Sequence, residues 1–150
     1  MSYSGILADI KAILQTVPGA GDKIYDYERW SADWDTYLTL FKADGIIKGF
    51  TITRNKTTEE AQSSRTNWRI HTFIIRMFYA LKDSDASEKK AQNLVEDIAS
   101  AFRSKPELLG SCIQTSPVQV DVFEPRMFGS VLCHYAELRL NVTEEIQYPA

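Results

Sequence analysis

The sequence predicts an α+β fold: a mostly antiparallel sheet of about five strands with about three helices packed on it, in the order α-β-α-β-β-α-β-β. Three segments repeat apolar residues at helical spacing, and several others alternate them at strand spacing. The connections between them are short or of medium length, which favours neighbouring strands that run antiparallel. With 150 residues, the chain is expected to form one domain over residues 1–150.

The first element is predicted to be an amphipathic helix over residues 4–17. Its apolar residues lie three and four positions apart, at Ile6, Leu7, Ile10, Ile13, Leu14 and Val17. Ser4 is the expected N-cap, and Pro18 with Gly19 is expected to end the helix. Residues 23–29 include Ile24, Tyr25 and Tyr27 and predict a short strand.

Residues 31–43 are compatible with two structures. Trp34, Tyr37, Leu38 and Phe41 fall at helical spacing, and Ser31 and Gly45 suit the two ends of a helix. The alternative is a strand that turns at residues 44–45 into a hairpin. We favour the helix.

The middle of the chain predicts two strands separated by a loop. Residues 46–54 form the first strand, with Ile47, Phe50 and Ile52. Residues 55–67 are polar, hold no aliphatic side chain larger than that of Ala61, and predict a long mobile loop. Residues 68–81 are largely apolar on both alternating faces, which predicts a central strand covered on both sides.

The second half predicts a helix followed by two strands. Asp85 and Glu88 have the spacing of a capping box, and the helix is expected to run to about Arg103. Residues 112–123 are interrupted by Pro117, which suits an edge strand or a bulge. A turn over residues 124–129 then leads into the last strand, residues 130–143.

Composition and charge exclude several classes of protein. The net charge of −3 and pI of 5.4 argue against a protein that holds nucleic-acid phosphates, although DNA could still pass through it. No apolar run reaches the ~18–20 residues of a membrane span. The first five residues lack the features of a signal peptide, so we expect synthesis inside the cell and no membrane partner. Two cysteines are too few for a disulfide framework.

The sequence contains no recognisable catalytic or cofactor-binding motif. There is no nucleophile elbow, and the Gly-Ala-Gly at residues 19–21 lacks the remaining features of a phosphate-binding loop. The possible metal ligands are His71, Cys112, Cys133 and His134. In the expected final hairpin Cys133 faces about Val120, which places the two cysteines roughly 26 Å apart along the sheet. We therefore expect buried sheet residues, with no metal and no cofactor.

Three segments contain carboxylates that a catalytic site could use. The adjacent pairs Glu59-Glu60 and Glu144-Glu145 are expected in mobile segments, where they could not hold an acid and a base in position. The segment DYERW at residues 26–30 is denser in functional groups. Its Arg29 and Trp30 could anchor a partner, although a structural corner is the simpler interpretation.

The predicted loop over residues 55–67 and the aromatic content favour an interaction protein. The residues expected to contact partners are charged or aromatic and lie in or near these segments: Arg29, Trp30, Arg54, Lys56, Glu59, Glu60 and Arg65.

The sequence also resembles the neck and tail-terminator proteins of long-tailed bacteriophages. The resemblance is carried by IYDYERW at residues 24–30, LFK at 40–42, IKGFTITR at 47–54 and YAELRLNV at 135–142. It covers most of the chain as a pattern of elements without a sharp motif.

This resemblance implies a structural virion protein that forms a ring, usually hexameric, at the head-proximal end of the tail tube. Such a ring ends tube growth, binds head-completion proteins and leaves a lumen for DNA. The protein would be made in the bacterial cytoplasm and reside in the virion neck. The family has no catalytic residues to transfer.

Three alternatives stay open. One is another head-tail connector ring, such as a neck adaptor or stopper. Another is a small α+β enzyme that uses Asp26, Glu28 or His71. The third is a cellular adaptor that binds a peptide on a sheet edge.

Overall fold

A computed structural model describes residues 2–29, 40–43, 46–128 and 131–148 and has the α+β class that the sequence predicts. Two α-helices and seven strands occur within these residues. In chain order they are α1 (Tyr3–Gln15), β1 (Ile24–Tyr25), β2 (Lys42–Ala43), β3 (Ile46–Ser63), β4 (Thr66–Ala80), α2 (Ser87–Arg103), β5 (Gln114–Thr115), β6 (Gln119–Phe128) and β7 (Val131–Gln147). A single 3-10 turn, Asp83–Asp85, precedes α2.

Six of these strands form one mixed sheet in the order β1-β3-β4-β7, with β5 and β6 both paired to the far side of β7. The β1–β3 pairing is parallel and the other ladders are antiparallel. The short β2 pairs with the beginning of β3. The predicted central position of the strand over residues 68–81 is confirmed, because β4 lies between β3 and β7. The predicted cover on both faces was wrong, because Trp68, Ile70 and Phe78, on the face away from the helices, are only half-buried.

Helix α1 buries the face that its apolar spacing predicted, through Ile6, Ile10, Ile13 and Leu14. Its predicted N-cap was wrong. The cap is Ser2, whose hydroxyl accepts a hydrogen bond from the Gly5 backbone N–H at 3.1 Å. The helix therefore begins at Tyr3, before the first residue of its apolar pattern, Ile6.

Helix α2 ends at Arg103 as predicted, but its predicted capping box does not form. Asp85 belongs to the 3-10 turn, and Ala86 occupies the N-cap position with a left-handed φ of 53°. The Ser87 hydroxyl instead accepts the Lys82 backbone N–H at 2.9 Å and lies 2.8 Å from His134 Nε2. These bonds join the start of α2 to the sheet.

The main core lies between the two helices and one face of the sheet. Side chains from β3, β4 and β7 meet α1 and α2 there, among them Phe50, Ile52, Phe73, Ile75, Met77, Leu138, Leu140 and Val142. Burying one such side chain contributes about 1.5–3 kcal/mol. The alternation along β4 and β7 therefore determines which face of the sheet the helices cover.

A smaller cluster contains Phe41, Ile47, Phe128 and Cys133 and also contacts Phe78. The Phe41 and Phe128 rings meet edge to face with centroids 5.1 Å apart, and Phe78 lies 4.5 Å from Phe128. Gly49 allows Phe41 to approach β3 closely. A Cβ at position 49 would lie 2.5 Å from Phe41 Cδ1 and 3.2 Å from the Lys23 carbonyl oxygen.

Three predicted segments differ from the structure. The loop expected over residues 55–67 is strand in β3 and β4, with a turn only at Ser64 and Arg65. The turn expected over residues 124–129 is wrong as far as Phe128, because β6 continues through Pro125 along the sheet edge. Of the helix expected over residues 31–43, residues 31–39 lie outside the described residues, and Lys42–Ala43 is strand β2.

The longer β6 corrects the predicted register of the final hairpin. Cys133 pairs with Arg126, whereas the prediction placed it opposite about Val120. Cys112 lies near the other end of β7, because the adjacent Ile113 backbone N–H donates to the Thr143 carbonyl oxygen at 2.9 Å. Both cysteines are free and buried, so the prediction that they do not pair is confirmed.

Candidate functional site

The most distinctive surface is a three-stranded arm at one end of the sheet. We define the arm as residues 55–70 of the β3–β4 hairpin together with residues 143–147 of β7. The nine β3 residues at 55–63 span about 30 Å at ~3.3 Å per residue. Every residue from Thr58 to Arg65 is exposed, so the tip carries no apolar core of its own.

Backbone pairing continues along the whole arm. In β3, Thr57 pairs with His71, Glu59 with Arg69 and Ala61 with Asn67. On the other side of β4, Arg69 pairs with Glu144 and Thr66 with Gln147. The arm is therefore a continuous extension of the central sheet.

A buried polar network holds the base of the arm. The His71 ring is fully buried, with Nδ1 2.9 Å from Thr57 Oγ1 and Nε2 2.8 Å from Glu144 Oε1. Arg54 Nη1 lies 3.5 Å from the same Nδ1. Because a carboxylate oxygen can only accept, the Nε2–H of His71 donates to Glu144.

The next layer of the arm is an ion-pair network. Arg69 lies between two carboxylates, with Nε 3.2 Å from Glu59 Oε1 and Nη1 3.5 Å from Glu144 Oε1. Asn67 donates to Glu59 at 2.7 Å. Glu145 points to the opposite face, where it accepts from Trp68 Nε1 at 3.3 Å. The expectation that Glu59-Glu60 and Glu144-Glu145 lie in mobile segments was wrong, since all four residues belong to strands.

The structure brings five of the seven predicted contact residues onto or beside the arm. Lys56 and Glu60 are exposed on the face away from the helices, and Arg65 lies in the tip turn. Arg54 stacks at the base of the arm over the Tyr3 ring, 4.2 Å from its centroid. Glu59 belongs to the network described above.

The other two predicted contact residues lie apart from this group. Arg29 follows β1 and stacks over Tyr25 and Tyr27, with its guanidinium carbon 4.7 and 5.3 Å from the two ring centroids. Trp30 lies outside the described residues.

Sequence reasoning missed the contribution of β7 to the arm. The predicted strand ended at residue 143, whereas β7 continues to Gln147, and the Tyr148 backbone N–H donates to the Arg65 carbonyl oxygen at 3.0 Å. Ile146 continues the apolar residues at every second position, Leu138, Leu140 and Val142, with Glu144 as an interruption, and this is the signal that could have extended the strand.

The histidine and the two cysteines considered for catalysis or metal binding at positions 71, 112 and 133 are buried. His71 has both ring nitrogens engaged and no exposed surface, which disfavours it as a base that reaches a substrate. Burial raises the pKa of the Cys112 thiol to about 11 and that of the Cys133 thiol to about 11. A thiol needs a lowered pKa to act as a nucleophile near neutral pH, so neither environment activates its cysteine.

Two further properties concern only the part of the chain that the structure describes. It contains no cluster of three or more histidine, cysteine, aspartate or glutamate side chains arranged to bind a metal. None of its helices combines the length and apolar character needed to cross a membrane.

Comparison with known proteins does not assign the chain to a family. No protein-family model matches the sequence, and no curated protein matches it significantly.

Proposed function

We propose that the protein is a structural subunit of a homo-hexameric ring at the head-proximal end of a bacteriophage tail tube, with no enzymatic role. The ring would end tube growth, present a surface to head-completion proteins and leave a lumen through which DNA passes. The subunit would be made in the host bacterial cytoplasm and reside in the virion. The observation that carries the proposal is the arm.

An arm of this kind is costly for an isolated domain. Its tip residues from Thr58 to Arg65 are all exposed, so ordering them is offset by little apolar burial within the chain. A neighbouring subunit or tube protein would supply the missing contacts. Cyclic rings use such contacts, in which one surface of each subunit meets a different surface of the next.

The arm is also rigid enough to position a neighbour. Its base holds the buried His71–Glu144 contact, and its middle holds the Arg69 ion pairs. Buried contacts such as His71–Glu144 favour one geometry, because moving the strands would leave buried polar groups without partners. A rigid projecting element suits an assembly contact better than a mobile loop does.

Charge supports a lumen that DNA crosses without being held. The net charge is −3, and the arm contains both basic and acidic residues: Lys56, Glu59, Glu60, Arg65, Arg69, Glu144 and Glu145. Retention of DNA phosphates needs clustered lysine and arginine, which this distribution does not provide. The same features suit another connector ring of the neck, which is the alternative position for this subunit.

The test mixes the purified protein with isolated tail tubes and, separately, with phage heads that lack tails. Electron microscopy shows where the protein binds, and mass measurement gives its oligomeric state. Rings capping tube ends would support the tail-terminator role. Rings bound to heads but not tubes would support the connector alternative. A protein that neither forms rings nor binds either particle would overturn the proposal.

A further inference from the structure

In the part of the chain that the structure describes, no strand covers the outer edge of β3 along the arm. On the side away from β4, β1 pairs with β3 only at Phe50 and Thr51, and no strand within the described ranges pairs with β3 beyond Thr51 on that side. Among the described residues, the β3 segment at 52–63 therefore has no strand partner on this side. Open edges present backbone donors and acceptors that another strand can use.

The register shows which backbone groups point outward. The Phe50 N–H donates to the Lys23 carbonyl oxygen at 2.9 Å, so Phe50 faces the outer edge, and this direction recurs at every second residue. The bulge between Arg54 and Lys56 shifts the alternation by one residue. Beyond the bulge, the backbone groups of Thr57, Glu59 and Ala61 face outward.

The open edge is not blocked in the way that β6 is. Strand β6, at the opposite side of the sheet, contains Pro125, which hinders pairing because proline lacks a backbone N–H. No proline occurs in β3. Two of its exposed charged residues, Lys56 and Glu60, lie on one face at equal spacing on either side of Thr58, whereas Glu59 lies on the other face.

We propose that this edge pairs antiparallel with the same edge of a second copy of the chain, with the two Thr58 residues opposite each other on a twofold axis. Lys56 of each copy then faces Glu60 of the other. Thr57 of each copy exchanges both backbone hydrogen bonds with Glu59 of the other, which matches the outward direction of these groups.

Charge complementarity selects a second copy and this register. Registers centred on Lys56 or on Glu60 would place like charges directly opposite, which destabilises a strand pair. The Thr58 register converts both charges into favourable cross-strand pairs. It also places the helix-covered parts of the two sheets at opposite ends of the joined arms.

This contact does not rest on the proposed function. An edge paired with itself closes after two copies, whereas a cyclic ring needs two different surfaces on each subunit. The pairing concerns the protein free in solution. Its failure would leave the ring proposal intact, and the tube-binding test does not depend on it.

Sedimentation velocity over a range of concentrations tests the charge pairing. We expect wild-type protein to dimerise and Lys56→Glu and Glu60→Lys each to weaken the dimer at least about tenfold. An equimolar mixture of the two variants should recover dimers, because each facing pair then joins opposite charges. Lys89→Glu, on the exposed face of α2, is the control and should dimerise like wild type. Circular dichroism checks that all variants fold.

Three results would overturn the proposal. Wild-type protein could stay monomeric at every concentration, the single variants could dimerise as well as wild type, or the mixture could form no more dimer than each variant alone.

A cysteine at the axis tests the register separately. Facing residues in a pair without direct backbone bonds lie about 4.5–5.5 Å apart at Cβ, within reach of a disulfide. Thr58→Cys should therefore form a covalent dimer under mild oxidation, while Gln62→Cys, which would not face itself, should not. Both native cysteines are buried and do not interfere. Equal cross-linking of the two variants would refute the Thr58 register.

Discussion

The Nε2 atom of His71 lies 2.8 Å from Oε1 of Glu144, across the two strands that form the base of the arm. Both side chains are buried, and the same carboxylate oxygen lies 3.5 Å from Arg69 Nη1. One glutamate thus satisfies a histidine and an arginine at the point where the arm leaves the helix-covered sheet. Removing the Glu144 side chain should therefore lower the free energy of unfolding more than removing an ordinary surface carboxylate does.

Glu144→Ala should lower the free energy of unfolding by about 1–3 kcal/mol, because the His71 N–H would remain buried without an acceptor. Urea denaturation measures the change. Glu145→Ala is the matched control, since Glu145 points to the opposite face, is only half-buried and contacts Trp68. Equal losses in the two variants would contradict the importance assigned to the network.

Gly49→Ala should destabilise the protein by about 1–3 kcal/mol, as expected for overpacking. The added Cβ would lie 2.5 Å from Phe41 Cδ1 and close to a backbone carbonyl that cannot move freely. Thermal and urea unfolding report the loss. Adding Phe41→Leu should cost less in the Gly49→Ala background than in wild type, and simple additivity of the two changes would argue against this contact.

Stability should fall as pH rises from about 9 toward 11. Burial raises the pKa of Cys133 from 9.0 to about 11, so the unfolded chain loses this proton first and is favoured between those values. The stability that the buried, protonated Cys133 thiol contributes is fully present below pH 9 and is lost as the pH approaches 11. A difference of two pKa units corresponds to roughly 2–3 kcal/mol.

Urea denaturation of wild type and Cys133→Ala at pH 8 and pH 10.5 measures this effect. The variant should lose less stability between the two values, even if it is less stable at both. Cys112→Ala should behave similarly, since burial also raises the pKa of Cys112 to about 11. An identical pH dependence in all three proteins would show that the thiols do not contribute.

Shortening the arm should separate folding from assembly. Residues 61–67 are replaced by Asn-Gly, which joins Glu60 to Trp68 at their existing cross-strand pairing and suits a two-residue hairpin turn. The His71 and Arg69 contacts with Glu144 remain. We expect unfolding stability within about 1 kcal/mol of wild type, because the removed residues are exposed or half-buried.

The shortened variant should nevertheless fail to assemble rings or cap tail tubes. Electron microscopy of mixtures with tubes, beside wild type, provides the measurement. Normal capping by a folded variant would remove the arm tip from the proposed assembly contact.

Periodicity alone predicted the elements that bury a regular apolar face. The main parts of α1, α2 and β4 follow from spacing, because the helices and the central sheet share one core. The buried, unpaired state of Cys112 and Cys133 was also predicted correctly. These features depend mainly on which side chains are buried.

Tertiary structure decided the features that depend on distant partners. Residues 55–63 lack apolar alternation because both of their faces meet solvent, yet they form a strand since β4 supplies their hydrogen bonds. Pro125 is accommodated in β6 because that strand lies at an edge, where a missing backbone donor is tolerated. Asp85 does not cap α2, because Ser87 instead bonds Lys82 and His134. The sequence by itself determined the α+β core through apolar burial, whereas strand pairing across the fold determined the arm and its polar base.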